Sequence, residues 1–168
     1  MKWYIIFSLT QKSEKLVGQL NRKKNICAFI PQLEYYRRDI SGYALKPLFP
    51  GYVFVKSELD QEDFDLLLMN MSEGKDGFIK QLKYENVSAL REEEIVLLDR
   101  LLDDQYILRM SQAYLDVDKR AVVYHGPLKH FEQNIIKIDK HNQIAYLDIQ
   151  FLNRYVQSGL IIQAKYEV

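Results

Sequence analysis

The sequence predicts an α+β protein: an N-terminal α/β sandwich, in which helices flank an antiparallel sheet, followed by a small C-terminal β-barrel. Two observations carry this expectation. Over the first hundred residues, aromatic and β-branched runs alternate with segments of helical apolar spacing; beyond Asp118 that spacing stops, and short β-rich runs separated by turn residues take over. The boundaries follow as a first domain over 1–104, a linker over 105–117 and a barrel over 118–168.

The elements read in order. WYIIFSL, Trp3 to Leu9, is a buried strand. In TQKSEKLVGQLNRKK, Leu16, Val17 and Leu20 share helical spacing, Thr10 or Ser13 can cap the start, and Arg22, Lys23 and Lys24 complement the C-terminal dipole. ICAFIPQLEYYRR returns as a strand, and ISGYALK turns through Ser41-Gly42 to complete a hairpin. The hairpin ends at KPLFPGYVFVK, where Pro50 fixes φ and Gly51 tolerates positive φ, as the central pair of a type II turn requires. DQEDFDLLLMN is a short helix with acidic residues in its first turn, GFIKQL a strand, and REEEIVLLDRLLDD an amphipathic helix on Ile95, Leu98, Leu101 and Leu102. QYILRMSQAYLDV has no clear period and reads as a tether. RAVVYHGPL, NIIKID, QIAYLDIQF and GLIIQA are barrel strands; in QIAYLDIQF, Ala145, Leu147, Ile149 and Phe151 share one face. Closure of such a barrel would remove its exposed edges.

Charge is balanced overall, 23 basic against 23 acidic residues, but unevenly placed. Residues 1–56 carry ten Lys/Arg against three Asp/Glu, 57–104 five against fourteen, and 115–168 seven against six. A uniformly basic nucleic-acid surface is thereby excluded, whereas a local positive patch is not. With no run of eighteen apolar residues and Met1-Lys2 leading straight into a strand, the expected location is cytoplasmic. Cys27, in the apolar run ICAFI, is expected as a buried thiol. His125, His130 and His141 lack the paired spacing of a metal site, and no phosphate-binding loop or nucleophile elbow occurs. Glu92, Glu93 and Glu94 open a helix, so catalysis is the weaker expectation and neither metal nor cofactor is called for.

WYII at the start, a helix carrying SEK, a hairpin, FPGYVFV and then GFIK together resemble the N-terminal (NGN) domain of the NusG family of transcription elongation factors. DKRAVVYHGPLKHFEQNIIKID resembles the KOW module that follows it, and the likeness covers nearly the whole chain. There are departures. Phe131 is followed by Glu132, Gln133 and Asn134 where a housekeeping member carries glycine, the later turn reads Phe151-Leu152-Asn153-Arg154, and Val117-Asp118 replaces the usual Gly-Asp. Asn153 tolerates the left-handed region and can stand in for the turn glycine. Together with the PLFP lead-in, these departures resemble a specialised antiterminator of the LoaP type.

The resemblance implies a non-enzymatic monomer that grips the clamp region of RNA polymerase and favours processive elongation or antitermination on particular operons. By position in the motif, Phe49 and Tyr52 match the family's aromatic contact and Phe7 a third apolar contributor, while Trp3 and Phe54 are expected as core. Arg37, Arg38 and Lys46, within the basic first third, suit upstream or non-template DNA. In the KOW module, Lys129, His130, Lys137, Lys140, His141 and Arg154 suit a small phosphate-facing surface. Its partner, by the same resemblance, is either a structured leader RNA or a protein, namely a termination factor or a ribosomal protein. The alternatives are a housekeeping elongation and termination-coupling factor, or a translation-associated KOW protein that binds RNA.

Overall fold

The structure, a computed structural model, describes residues 1–71, 75–84, 87–88 and 90–164. The chain divides into two compact units, Met1–Pro31 with Phe49–Leu98, and Gln32–Leu48 with Asp99–Val168.

The first unit is built on β1 (Lys2–Ser8), β2 (Ile26–Phe29), β5 (Tyr52–Ser57), β6 (Phe78–Tyr84) and β7 (Val87–Ser88), in the sheet order β2-β5-β1-β6-β7. Every pairing in it is antiparallel. Alternation sends Tyr4, Ile6, Val53 and Val55 to one face, where α1 (Ser13–Leu20) adds Leu16 and Leu20 and α2 (Gln61–Met69) adds Phe64 and Leu68 to a single apolar cluster. Tyr4 stacks on Phe64 at 4.0 Å and donates its hydroxyl to the Leu59 carbonyl, so the ring is buried without orphaning its polar tip. The α2 start matches its acidic sequence: the Asp60 side chain accepts the Asp63 amide at 2.9 Å. The start of α1 differs from expectation. Thr10–Lys12 forms a 3-10 turn, and Ser13 makes no cap; its buried hydroxyl instead meets that of Ser8 at 2.7 Å. At the other end, Asn21 takes both polar backbone groups of Ala28, locking the helix exit to β2.

ICAFIPQLEYYRR is two strands rather than one. Proline supplies no amide to a ladder, and the chain breaks at Ile30-Pro31 between β2 and β3 (Gln32–Arg37). β3 pairs with β4 (Gly42–Pro47) as the expected hairpin and, on its other side, in parallel with β8 (Ile107–Leu108). Cys27 is exposed, contrary to the expected buried thiol: Ala28 takes the helix-covered face of the edge strand β2, and Cys27 faces the other way.

The second unit also departs from the expected boundaries. Residues 105–117 are no tether, since they contain β8 and β9 (Ser111–Leu115), and β9 sits between β10 (Ala121–His125) and β13 (Arg154–Ile162). The partition also places the hairpin with Asp99–Val168 rather than in a domain ending at 104. The reason is polar as well as apolar. The Glu34 carboxylate accepts the Met110 amide at 2.9 Å and Arg109 Nη1 at 3.2 Å, and Arg109 Nε reaches Asp103 at 2.7 Å. Close approach adds to this, because a Cβ on Gly159 would lie 2.0 Å from the Met110 sulfur and 3.0 Å from the Glu34 carbonyl oxygen.

The C-terminal sheet runs β10-β9-β13-β12-β11, with β11 (Ile135–Asp139) and β12 (Ile144–Phe151) forming its far side; residues 165–168 of the expected barrel lie outside the described residues. Ala145, Leu147 and Phe151 are buried as the alternation requires. Leu152 and Asn153 both take positive φ, 50° and 59°, making the two-residue corner between β12 and β13; Asn153 fills the glycine's place as expected. Gly126 has φ 102°, and a Cβ there would lie 2.6 Å from Ser111 Cα. The expected closure is absent among the described residues: β10 and β11 stand at opposite ends of the strand order. Glu132 explains part of this, since its carboxylate accepts the outward Val123 amide at 2.7 Å and occupies an edge position that a neighbouring strand would use.

Burial pushes the Asp103 carboxyl up, but hydrogen bonds from Arg109 and from the Ile107 and Gln105 amides outweigh it and hold the group below its ordinary value. A depressed folded-state value contributes stability that is present above the unfolded pKa and lost as pH falls through the folded one. Asp103→Asn is expected to cost about 1 kcal/mol at neutral pH, allowing for solvent screening of a half-exposed pair. The deficit relative to wild type should shrink as pH drops below the usual carboxylate range, and thermal denaturation at neutral and acid pH checks it.

Candidate functional site

The Pro50-Gly51 corner is held from below. Gly51 has φ 86°, and the Tyr52 amide reaches the Phe49 carbonyl at 3.1 Å, as in a type II turn. The Gly51 carbonyl accepts both the Ser8 amide at 2.7 Å and the Ser8 hydroxyl at 3.1 Å, clamping the corner to the end of β1. A Cβ at Gly51 would come within 3.2 Å of the Phe7 ring and 3.3 Å of the Ser8 carbonyl oxygen, so conformation and space both require glycine.

This geometry corrects the expected role of Phe49. Its side chain is 1% exposed and its ring lies 5.9 Å from that of Phe54, on the sheet face opposite α1 and α2. Phe49 is therefore core and offers no contact surface. The corner folds the chain back, so the ring that precedes Pro50 is buried beneath the turn. Trp3 and Phe54 are core as expected, at 5% and 0% exposure, and Trp3 and Phe29 meet edge to face at 5.6 Å.

Tyr52 and Phe7 behave differently. They are direct cross-strand partners, both half-buried, with ring centroids 5.2 Å apart and planes tilted by 45°. Lys80 is the exposed partner of Phe7 on β6, and Pro50 and Leu9 are exposed near the two strand ends. Lys80, Pro50 and Leu9 escaped the sequence reading; the alternation in GFIKQL places Lys80 on a face but does not show which strand it faces.

The hairpin cations separate. Arg37 is tied to Asp39 through Nε and Nη2, and its guanidinium holds the Asp39 carboxyl below the usual range. Lys46 lies 4.4 Å from the Tyr35 ring centroid, and Arg38 is exposed with no ion pair among the described residues.

The barrel cations Lys129, Lys137, Lys140 and Arg154, with His130 and His141, are all exposed but do not form one surface. Lys137 and Lys140 line a cleft of about 740 Å³ between β10 and β11, whereas Lys129 lies on the 3-10 turn Pro127–His130 and Arg154 at the start of β13. The cleft adds Lys119 and Arg120, which the sequence reading left out although the DKR run before β10 carries them. Among the described residues, no group of three or more His, Cys, Asp or Glu is placed to hold a metal ion, and no helix is long and apolar enough to cross a membrane.

Two comparisons bear on this geometry. The family model described as "Transcription termination factor nusG" matches residues 1–99. A solved structure described as "Domain interaction in Thermotoga maritima NusG" is similar in fold, with a TM-score of 0.50 and 15% identity over 95% of this chain and 93% of that one. No curated protein matches by sequence.

Phe49→Ala is expected to destabilise the chain by about 3–5 kcal/mol, the range for emptying a buried aromatic site. Tyr52→Ala, half-exposed, should cost about 1 kcal/mol. Urea unfolding of the two variants separates the core ring from the surface ring.

Proposed function

The chain belongs to the NusG family of transcription factors, and on that premise we propose that it binds RNA polymerase through the Phe7–Tyr52 pair and favours processive elongation. The observation that supports this reading most is the pair itself: two aromatic rings packed together, half-exposed, on paired strands beside a corner that Gly51 and Ser8 hold rigid. Aromatic residues partly desolvated in a preformed patch are the usual binding hot spots, and a rigid sheet leaves little ordering entropy to lose on docking. No catalytic group is needed. A factor that prefers the elongating over the paused enzyme by ~1.4 kcal/mol changes their ratio tenfold.

Within this reading, the first unit, Met1–Pro31 with Phe49–Leu98, acts on the polymerase clamp in the cytoplasm, and residues 118–168 of the second recruit a further partner. Arg38 and Lys46 attract upstream or non-template DNA, while Arg37 contributes less because Asp39 already takes its guanidinium. Antitermination confined to particular operons, as in a LoaP-type member, is the finer proposal. It is supported by the Glu132-Gln133-Asn134 and Leu152-Asn153 substitutions at the barrel turns.

Phe7→Ala and Tyr52→Ala should each weaken capture of purified polymerase at least tenfold while the circular dichroism spectrum stays that of wild type. Folded variants that bind polymerase as wild type does would remove the pair from the interface. For the hairpin, Arg38→Ala should lower the slope of log affinity against log salt for a forked DNA by about one, with little change in polymerase capture. An unchanged slope counts against the phosphate contact.

A further inference from the structure

The cleft between β10 and β11 combines three properties. First, it lies between the two terminal strands of the sheet order, so β11 presents an outer backbone edge without a neighbouring strand among the described residues. Second, its lining includes the aliphatic residues Leu115, Val122, Ile135 and Ile138, with Ile136 61% exposed beside them. Third, Lys119, Arg120, Lys137 and Lys140 surround it, all exposed and none in an ion pair among the described residues.

Two acidic groups also line the cleft, but each is engaged. Asp116 accepts the Asp118 and Arg120 amides, and Glu132 accepts the Val123 amide. Among the described residues, the cations therefore face solvent without a carboxylate partner of their own.

From this arrangement we infer that the cleft binds an extended acidic peptide segment of a partner protein, one that alternates carboxylate and aliphatic side chains. The inference rests on the reading that residues 118–168 recruit a partner, and it specifies that partner's chemistry. A strand laid along β11 pairs its main chain with the free edge, turns alternate aliphatic side chains onto the apolar lining and sets carboxylates against the four cations. Five residues of β11 span roughly 16 Å at ~3.3 Å per residue, so the recognised segment is about five residues long.

An RNA strand fits less well. Among the described residues, no aromatic side chain lines the cleft to stack a base, and the charge excess over 115–168 is a single unit.

The test pans a displayed library of random twelve-residue peptides on the full chain, with counter-selection on the Lys119→Glu/Lys137→Glu double variant. Both replaced side chains are exposed, so the variant should fold as wild type by circular dichroism. The expected survivors carry net negative charge with alternating aliphatic residues. They should shift the backbone amides of Ile135–Asp139 in NMR spectra and bind the double variant at least tenfold more weakly. Survivors without acidic bias, shifts confined to other strands, or no survivors would each overturn the inference. So would a ten-nucleotide uridine RNA that shifts the same amides when the peptides do not. Polymerase capture by the double variant should equal that of wild type, so failure of the peptide arm is read separately from failure of the polymerase interface.

Discussion

The Gly51 carbonyl oxygen, taken at once by the Ser8 amide and the Ser8 hydroxyl, is the contact on which the first unit's surface depends. It joins the end of β1 to the corner before β5, and those two strands supply the paired rings. With Gly51 held at positive φ by this corner, the conformation of one residue helps set where two aromatic side chains go. Phe49 turns under the corner onto Phe54, and Tyr52 emerges beside Phe7. A rigid corner therefore does more than reverse the chain. It sorts neighbouring rings into one that stabilises the fold and one that remains available to a partner.

Much of this architecture was legible in the sequence, and the failures have physical reasons. Strands with strong β-branched or aromatic content and helices with apolar spacing were read correctly because local pattern alone specifies them, as in WYIIFSL and in the acidic first turn of α2. Phe49 was misread because burial at a corner depends on the direction in which the turn folds, which residue order does not show. Cys27 was misread because an apolar run says nothing about which strand lies at a sheet edge. Residues 107–115 escaped because each strand has a partner remote in sequence: β3 lies beside β8, and β13 lies beside β9 on the side away from β10.

The charge pattern shows the same division. The excess of basic residues before residue 57 was plain from composition, yet the structure distributes them into different roles. Arg37 is paired with Asp39, Lys46 lies over Tyr35, and Lys56 sits 4.4 Å above the Trp3 ring, leaving Arg38 as the open cation of the hairpin. The reverse holds near the C terminus. A near-neutral segment contains four cations around one cleft with no ion pair among the described residues, Lys137 lying 5.1 Å from the Tyr146 ring centroid, because Asp116 and Glu132 are turned toward backbone amides instead. Counting charges is informative only after the acidic partners have been located.

The Ser8 and Ser13 hydroxyls, 2.7 Å apart, sit between two carbonyl oxygens, those of Gly51 and Leu9. Three contacts thus share two protons, and one must go unfilled at any instant. Neither carbonyl is stranded by the choice, since the Ser8 amide serves Gly51 and the Lys12 amide serves Leu9. The protons can shift among three arrangements while every heavy atom stays in place, and the latch remains shut in each.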